Sequence, residues 1–140
     1  MPRYGAGVIL TRKDEVLLVR HGEKSRNVLG LYTLPGGETE SYDKDSMDTV
    51  IREVCEETGL IINRKNLRLL GHYIFFMQRR VGKEEMSIDL YSCKKFKGVL
   101  KSGEETEPVW VKSKKFISGE YQLPYTSGNF LADVFKFLKE

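Results

Sequence analysis

Residues 45–60 read DSMDTVIREVCEETGL, and they form the most regular pattern in the chain. Five residues of this stretch recur at spacings of three and four, which is the period of one stripe along an α-helix. They are Met47, Val50, Ile51, Val54 and Thr58. Asp45 or Ser46 can cap the start of the helix through a side-chain oxygen, and Gly59 suits a left-handed C-terminal position. The stretch therefore predicts a helix that buries one side.

The same helix carries three carboxylates on another side, from Glu53, Glu56 and Glu57. Each residue of a helix advances by about 100°, so these side chains share a face about 100° wide. Like charges this close destabilise a helix by about a few tenths of a kcal/mol, and the helix dipole disfavours anions in its C-terminal half. A bound cation would turn this repulsion into ligation, and oxygen ligands favour Mg²⁺, Mn²⁺ or Ca²⁺ over zinc. Taken alone, the pattern also fits a solvated acidic face.

The segments on either side of this helix read mostly as strands, because apolar and β-branched residues are concentrated in them. The predicted strands are 4–10, 16–20, 31–34, 67–77, 86–96 and 109–111, with a turn at 78–85. A final amphipathic helix is predicted at 126–140, with Ser127 as its cap. This order of elements predicts the α/β (α+β) class, with a mixed β-sheet that is covered by helices on its faces.

The composition fits a single compact domain over residues 1–140, with 40% hydrophobic residues to build a core. The net charge is +3 and the basic residues form no block, so we expect no stable complex with nucleic acid. A mildly basic surface would instead attract small molecules that carry phosphate. The start of the chain lacks the apolar core of a signal peptide, and no apolar run reaches the length of a membrane span. We therefore expect a cytoplasmic protein, in which Cys55 and Cys93 lack the spacing of a zinc site.

Residues 34–60 resemble the sequence box of the Nudix hydrolase (MutT-type) family. In that box a glycine is followed by five residues, a glutamate, seven residues, and then Arg-Glu-apolar-x-Glu-Glu-x-Gly-apolar. Residues 52–60 match the second half at every specified position, and Leu34-Pro35-Gly36-Gly37 matches the turn that usually precedes the box. By this resemblance we expect a Nudix-type α/β/α sandwich.

The box of this chain, at residues 37–60, departs from the family pattern at one point. Fourteen residues separate Gly37 from Arg52, where the pattern has thirteen. One residue is therefore inserted in the loop before the helix. The position of the first box glutamate falls on Asp43 when counted from Gly37, and on Lys44 when counted back from Arg52.

The resemblance implies a role for each matching residue of the box. It implies that Glu53, Glu56 and Glu57 bind a divalent metal, which is Mg²⁺ or alternatively Mn²⁺. The carbonyl group of Gly37 would be a further ligand. One of the metal-binding glutamates, Glu53 or Glu56, would also help to deprotonate the attacking water. Arg52 would hold a glutamate side chain in place through a charge-assisted hydrogen bond.

Candidate residues also lie outside the box. Some family members take another glutamate from the loop before the Trp-bearing strand, and here the acidic loop 104–107 offers Glu105 as a second base or ligand. Arg20 ends the second predicted strand and could contact a phosphate, and Arg26 is a weaker candidate for the same contact. Tyr32 is a candidate for stacking on a base. For each of them, an ordinary surface or core position is the alternative.

The activity implied by the resemblance is a Mg²⁺-dependent diphosphohydrolase. Water would attack a phosphorus of a nucleoside diphosphate linked to another group, and two phosphorylated products would form. A nucleoside triphosphate, including an oxidised one, is the first expectation, while ADP-ribose, dinucleoside polyphosphates and nucleotide sugars stay open, because fold does not fix substrate. The alternative is a weakly active or inactive Nudix-fold module that binds a nucleotide or a protein. The expected partner is a small nucleotide-like molecule, and a homodimer stays open.

Overall fold

The computed structural model describes residues 2–22, 31–125 and 128–140. Within these ranges the chain forms seven strands, three α-helices and a short 3-10 helix at Arg64–Asn66. The strands are β1 (Arg3–Arg12), β2 (Glu15–His21), β3 (Tyr32–Thr33), β4 (Gly36–Glu38), β5 (Arg68–Arg79), β6 (Gly82–Cys93) and β7 (Thr106–Lys112). The α-helices are α1 (Ser46–Thr58), α2 (Ser113–Ile117) and α3 (Gly128–Lys139). Among the described helices, none is both long and apolar enough to cross a membrane.

The strand β1 is the centre of a mixed sheet. It pairs in parallel with β6 and antiparallel with β2 and β4, and the main order of the sheet is β3-β2-β1-β6-β5. The strand β7 pairs antiparallel with β2, which extends the sheet beyond this order. The mixed sheet and the β1–β2 hairpin that we predicted from the sequence are confirmed.

The turn between β5 and β6 is tighter than the sequence analysis predicted. Arg79 pairs with Gly82, so only residues 80–81 make the turn, and the predicted turn at 78–85 is wrong. The polar residues at both ends of that segment continue the pairing, because Gln78 lies opposite Lys83. The polar residues at these strand ends were therefore mistaken for part of a loop. The elements β4, α2 and the 3-10 helix were not predicted, since each is too short to show a period.

The helix α1 begins and ends as its sequence predicts. The side chain of Asp45 accepts a hydrogen bond from the Asp48 N–H at 3.0 Å, so Asp45 is the N-cap. Gly59 has a φ of 79°, and its N–H donates to the carbonyl of Cys55 at 3.0 Å. This left-handed closure favours glycine, which has no Cβ to clash. Both ends of α1 are therefore fixed by local chemistry.

Two hydrophobic clusters lie on opposite sides of the sheet. Side chains of a strand alternate between its faces, so Val8 of β1 packs with α1 residues while the next residue, Ile9, packs on the α3 side. Val54 of α1 and Phe130 of α3 are both buried in these clusters. Helices therefore cover both faces of the mixed sheet, and the predicted α/β/α sandwich is confirmed. The predicted cap at Ser127 lies outside the described residues.

Candidate active site

The Pro-Gly-Gly turn brings the backbone of β4 directly against the carboxylates of α1. The N–H of Gly36 donates to the Oε1 atom of Glu57 at 2.9 Å. Gly36 has a φ of 152°, and a Cβ at this position would lie 2.3 Å from the carbonyl oxygen of Ala6. A Cβ at Gly37 would lie 2.4 Å from the carboxyl carbon of Glu53. Only glycine at both positions allows this approach of backbone to carboxylate.

The three glutamates of α1 differ in exposure to solvent. Glu57 is buried at 9% exposure, whereas the side chain of Glu53 is 17% exposed and that of Glu56 is 56% exposed. The evenly solvated acidic face considered as an alternative is therefore wrong. Glu57 faces the sheet, where its carboxylate accepts a hydrogen bond from the N–H of Gly36.

The electrostatics of α1 disfavour the ionised form of two of these carboxylates. Burial raises the pKa of Glu57 well above its ordinary value, and the charges of Glu53 and Glu56 raise it further, while the hydrogen bond from Gly36 acts in the opposite direction. Burial also raises the pKa of Glu53, against the lowering effect of Arg52. The carboxylates are therefore close enough to repel one another, which is the condition that a cation would relieve.

Arg52 connects the helix to the loop before it. Its guanidinium donates to the Oδ1 and Oδ2 atoms of Asp43 at 3.2 and 2.8 Å, and to the Oε1 atom of Glu53 at 2.9 Å. The hydrogen bond from Arg52 to a glutamate that we expected is present. Asp43, whose side chain is 3% exposed, also accepts from the N–H of Glu40 and the hydroxyl of Thr49. The loop with the inserted residue therefore places the carboxylate of Asp43 against Arg52.

The ion pair between Asp43 and Arg52 predicts how stability depends on pH. The hydrogen bond from Arg52 lowers the pKa of Asp43 from 3.8 to about 2. Because the folded-state pKa is below the unfolded one, this stabilisation is complete above about pH 4 and is lost as the pH falls toward 2. We expect urea unfolding of Asp43→Asn to depend less steeply on pH between 4 and 2 than unfolding of the wild type. Equal slopes would contradict this assignment.

The donor chemistry of the site fits a divalent cation. Carboxylate oxygens are the ligands that Mg²⁺ and Mn²⁺ prefer, and Glu53, Glu56 and Glu57 come from one turn and a half of α1. Within residues 2–22, 31–125 and 128–140, however, no three carboxylate, imidazole or thiol groups converge tightly enough to hold an ion. Arg52 lies between Glu53 and Glu56, at 2.9 and 3.5 Å. A metal bound here would therefore require some of these carboxylates to move closer together.

A cavity of about 80 Å³ lies behind Glu57, between the sheet and α3. Its walls are mainly apolar, from residues such as Phe75, Met86 and Phe130. Its polar lining includes His21 and Arg79, which are both buried. Burial, together with the charge of Arg79, lowers the pKa of His21 to about 4, so this imidazole is neutral at pH 7.

A family model described as the NUDIX domain matches residues 1–134 of this chain. The chain belongs to the Nudix family. The MutT protein from Methanosarcina mazei Go1 has a similar structure, with a TM-score of 0.73 and 24% identity over 99% of this chain and 94% of that one. The mutator MutT protein from Bacillus halodurans gives a TM-score of 0.72 and 25% identity, covering 99% of this chain and 83% of the other.

A third similar structure contains a ligand. It is the NUDIX domain of Shewanella oneidensis NrtR complexed with ADP ribose, with a TM-score of 0.76, 18% identity, and coverage of 99% of this chain and 89% of that one. Membership of the Nudix family and the likeness to MutT proteins support pyrophosphohydrolase activity in general. Neither finding identifies the substrate or the metal of this Nudix chain.

Three of the candidates outside the Nudix box, Glu105, Arg20 and Tyr32, lie in the described part of the structure. Glu105 has a φ of 61°, and its carboxylate lies against the backbone of Gly22, in a surface pocket that Arg20 also lines. Arg20 is exposed and pairs across the sheet with Tyr32. Tyr32 is partly buried and meets the ring of Tyr121 edge to face, at 5.1 Å between centroids. The other candidate of the same kind, at position 26, lies outside the described residues.

Two residues that line the cavity of this Nudix chain, Arg79 and Tyr125, were not predicted from the sequence. Arg79 continues the alternation of Phe75 and Met77 along the buried face of β5, so a charged residue in phase with an apolar stripe was the available signal. Tyr125 lies in the segment before α3 and had no pattern to mark it. His21 also lines this cavity, and its Nε2 atom forms a 2.8 Å hydrogen bond with the hydroxyl group of Thr33.

Proposed function

We propose that this Nudix chain hydrolyses a diphosphate linkage in a nucleoside diphosphate that carries another group, with Mg²⁺, or alternatively Mn²⁺, as its cofactor. The observation that carries the proposal is the contact of Glu57 with the Gly36 N–H at the edge of a mainly apolar cavity. This contact places the three carboxylates, which repel one another, beside a cavity that could hold the organic part of a ligand. A nucleoside triphosphate, including an oxidised one, is our first substrate, and ADP-ribose is the next.

In this proposal Glu53, Glu56 and Glu57 hold the metal, and the carbonyl of Gly37 is a further ligand. The metal would supply charge neutralisation at the phosphates and lower the pKa of a bound water. Glu53 or Glu56 removes the proton from the attacking water. Both are near Arg52, whose 2.9 Å hydrogen bond to Glu53 restricts that carboxylate to one orientation.

The organic part of the substrate would enter the cavity behind Glu57. Aromatic walls such as Phe75 and Phe130 suit a flat heterocycle. The guanidinium of Arg79 supplies hydrogen-bond donors inside an otherwise apolar space, and neutral His21 adds a polar contact without a charge. In the surface pocket, Arg20 would contact phosphate and Glu105 would serve as a second base.

A product assay on a panel of nucleotides tests this function. The panel contains nucleoside triphosphates, an oxidised nucleoside triphosphate, ADP-ribose, dinucleoside polyphosphates and nucleotide sugars, each with Mg²⁺, with Mn²⁺ and with EDTA. We expect phosphate-bearing products from at least one compound with either metal, and none with EDTA, because the chemistry depends on a bound cation. Absence of turnover across the whole panel, or turnover that EDTA leaves unchanged, would contradict the proposal.

One observation favours a second function, a Nudix-fold binding module without turnover. Among the described residues no three potential ligands converge on one point, and Arg52 already bridges Glu53 and Glu56. Arg52, Glu53 and Glu56 would keep this arrangement if the chain bound a nucleotide in the cavity without a metal. Calorimetry separates the two functions, since tight binding that is equal with Mg²⁺ and with EDTA, and that yields no product, supports the module.

A further inference from the structure

The segment that carries the Pro-Gly-Gly turn is hydrogen-bonded to three different parts of the molecule. The N–H of Val8 in β1 donates to the carbonyl of Pro35 at 3.0 Å. The N–H of Gly36 donates to Glu57 of α1 at 2.9 Å. The N–H of Leu34 donates to the hydroxyl oxygen of Tyr125 at 2.9 Å. The side chain of Tyr125 therefore anchors the turn from the α3 side of the sheet.

Tyr125 is itself held on several sides. Its backbone bridges to Met77 at the end of β5, next to a 2.8 Å hydrogen bond from the Gln78 N–H to the carbonyl of Pro124. Its ring meets Phe75 edge to face at 5.6 Å and Phe130 at 4.9 Å. Burial raises the pKa of Tyr125, so the hydroxyl group stays protonated. The phenol oxygen is thus fixed in position before any ligand binds.

A phenyl ring could keep the ring contacts, but it could replace neither the bond to Leu34 nor the hydroxyl's hydrogen bond with the Thr33 side chain. Leu34 is buried at 5% exposure, and a buried N–H without an acceptor is costly. If the hydroxyl were absent, the backbone at Leu34 would move to find another acceptor. Gly36 lies two residues further along, where its N–H orients the carboxylate of Glu57.

We propose that Tyr125 is a positioning residue for the carboxylates of α1, acting through the Leu34–Gly37 backbone. The phenol oxygen fixes the place of the Gly36 N–H, and this N–H orients the Oε1 atom of Glu57. Gly37, whose α-carbon borders the carboxylate of Glu53, is held by the same segment. The inference rests on the proposed hydrolytic function only for its kinetic readout, since its structural readout needs neither substrate nor metal.

Tyr125→Phe tests the proposal, and Tyr73→Phe is its matched control. Tyr73 also meets Phe130 edge to face, at 5.4 Å, and its hydroxyl donates to Asp133 at 2.6 Å, far along the chain from the turn. Residues that orient metal ligands typically change activity or metal affinity by about 10- to 100-fold. We expect Tyr125→Phe to lower kcat by about 10-fold or more and to raise the Mg²⁺ concentration for half-activation, with KM within about 3-fold. Tyr73→Phe should stay within about 2-fold on all three.

The second readout is the amide resonances of the metal-free protein. We expect Tyr125→Phe to shift the Gly36 and Gly37 resonances in two-dimensional ¹H–¹⁵N spectra, and Tyr73→Phe to leave them in place. In the wild type, the Leu34 N–H should exchange with solvent as slowly as the N–H of Val8. Rapid exchange at Leu34 would overturn the proposal even if Tyr125→Phe did not fold.

The outcomes separate this proposal from the proposed function. A wild type that is inactive on every substrate, with shifted Gly36 resonances in Tyr125→Phe, would end the hydrolytic function and support the positioning role. An active wild type, with unchanged kcat and unchanged Gly36 resonances in Tyr125→Phe, would overturn the positioning role and leave the hydrolytic function standing.

Discussion

Glu57→Gln should lower kcat for diphosphate hydrolysis by about 100-fold or more, because metal stabilisation of transition-state charge is worth several kcal/mol and each 1.36 kcal/mol is about tenfold. Glutamine keeps an oxygen that can accept from the Gly36 N–H, so the contact between β4 and α1 should survive. The substitution therefore removes one of the three carboxylates of the site while it retains the local structure. Steady-state kinetics at saturating substrate and Mg²⁺ give the measurement.

The same substitution should act in the opposite direction on stability. Burial and the neighbouring carboxylates raise the pKa of Glu57, and a carboxyl group whose pKa is raised on folding costs stability at pH values above its unfolded pKa. Without metal, we expect the free energy of unfolding of Glu57→Gln to be equal to or above that of the wild type. Mg²⁺ should stabilise the wild type, by about 2.7 kcal/mol at about 100 times its Kd, and should have little effect on the variant.

Glu120→Gln is the control for this pair of effects, because Glu120 is exposed and its carboxylate accepts a 3.2 Å hydrogen bond from the hydroxyl of Ser118, within its own turn. It makes the same change of charge away from the site, so kcat and the Mg²⁺ effect on stability should both stay at the wild-type level. If Glu57→Gln retained wild-type kcat, or destabilised the metal-free protein strongly, the assignment of Glu57 to the metal would be wrong.

Arg52→Met should lower the free energy of unfolding by about 3 kcal/mol, since removing one partner leaves largely buried carboxylates without their counter-charge. Asp43 would lose two hydrogen bonds and Glu53 would lose one. The backbone carbonyl of Glu38 would also lose its 3.1 Å bond from Arg52. We expect kcat to fall as well, because Glu53 would no longer be held in one orientation. Urea unfolding and steady-state kinetics measure the two effects.

Two variants make this prediction specific. Arg52→Lys keeps the charge but not the planar fork of donors, so it should recover only part of the lost stability. Arg64→Met removes an arginine that also pairs with two carboxylates, those of Asp45 and Asp48, but its side chain is 48% exposed. Exposed ion pairs contribute little, so we expect a much smaller change. Equal losses for Arg52→Met and Arg64→Met would show that Arg52 has no special role.

The sequence predicted the fold wherever a pattern was long enough to repeat. The stripe on α1 showed which side of that helix packs on the sheet, and the Asp45 cap and Gly59 closure set the ends of α1. The short strand β4 was missed because its pairing with β1 depends on contacts distant in sequence. The turn at residues 80–81 was misplaced for a different reason, because the polar side chains beside it continue the pairing of β5 with β6.

The candidate site was predictable in its residue types but not in its electrostatics. The spacing of Glu53, Glu56 and Glu57 showed that they share a face, but only the packing of β4 on α1 buries Glu57 and leaves Glu56 exposed. The inserted residue left the role of the loop carboxylate open, and the fold of that loop directs Asp43 to Arg52. The cavity, with Arg79 and Tyr125, arises from distant segments that no local pattern could join.

The most direct test of the central claim follows ³¹P NMR spectra of a nucleotide substrate from the panel during incubation with the wild type and with Glu57→Gln. The claim is that the α1 carboxylates beside Gly36 and Gly37 bind the metal that supports diphosphate cleavage. It predicts that the substrate signals disappear and the signals of two phosphorylated products appear with the wild type in Mg²⁺, and that neither change occurs over the same period in EDTA or with Glu57→Gln. Equal cleavage by both proteins, or cleavage by the wild type in EDTA, would contradict it.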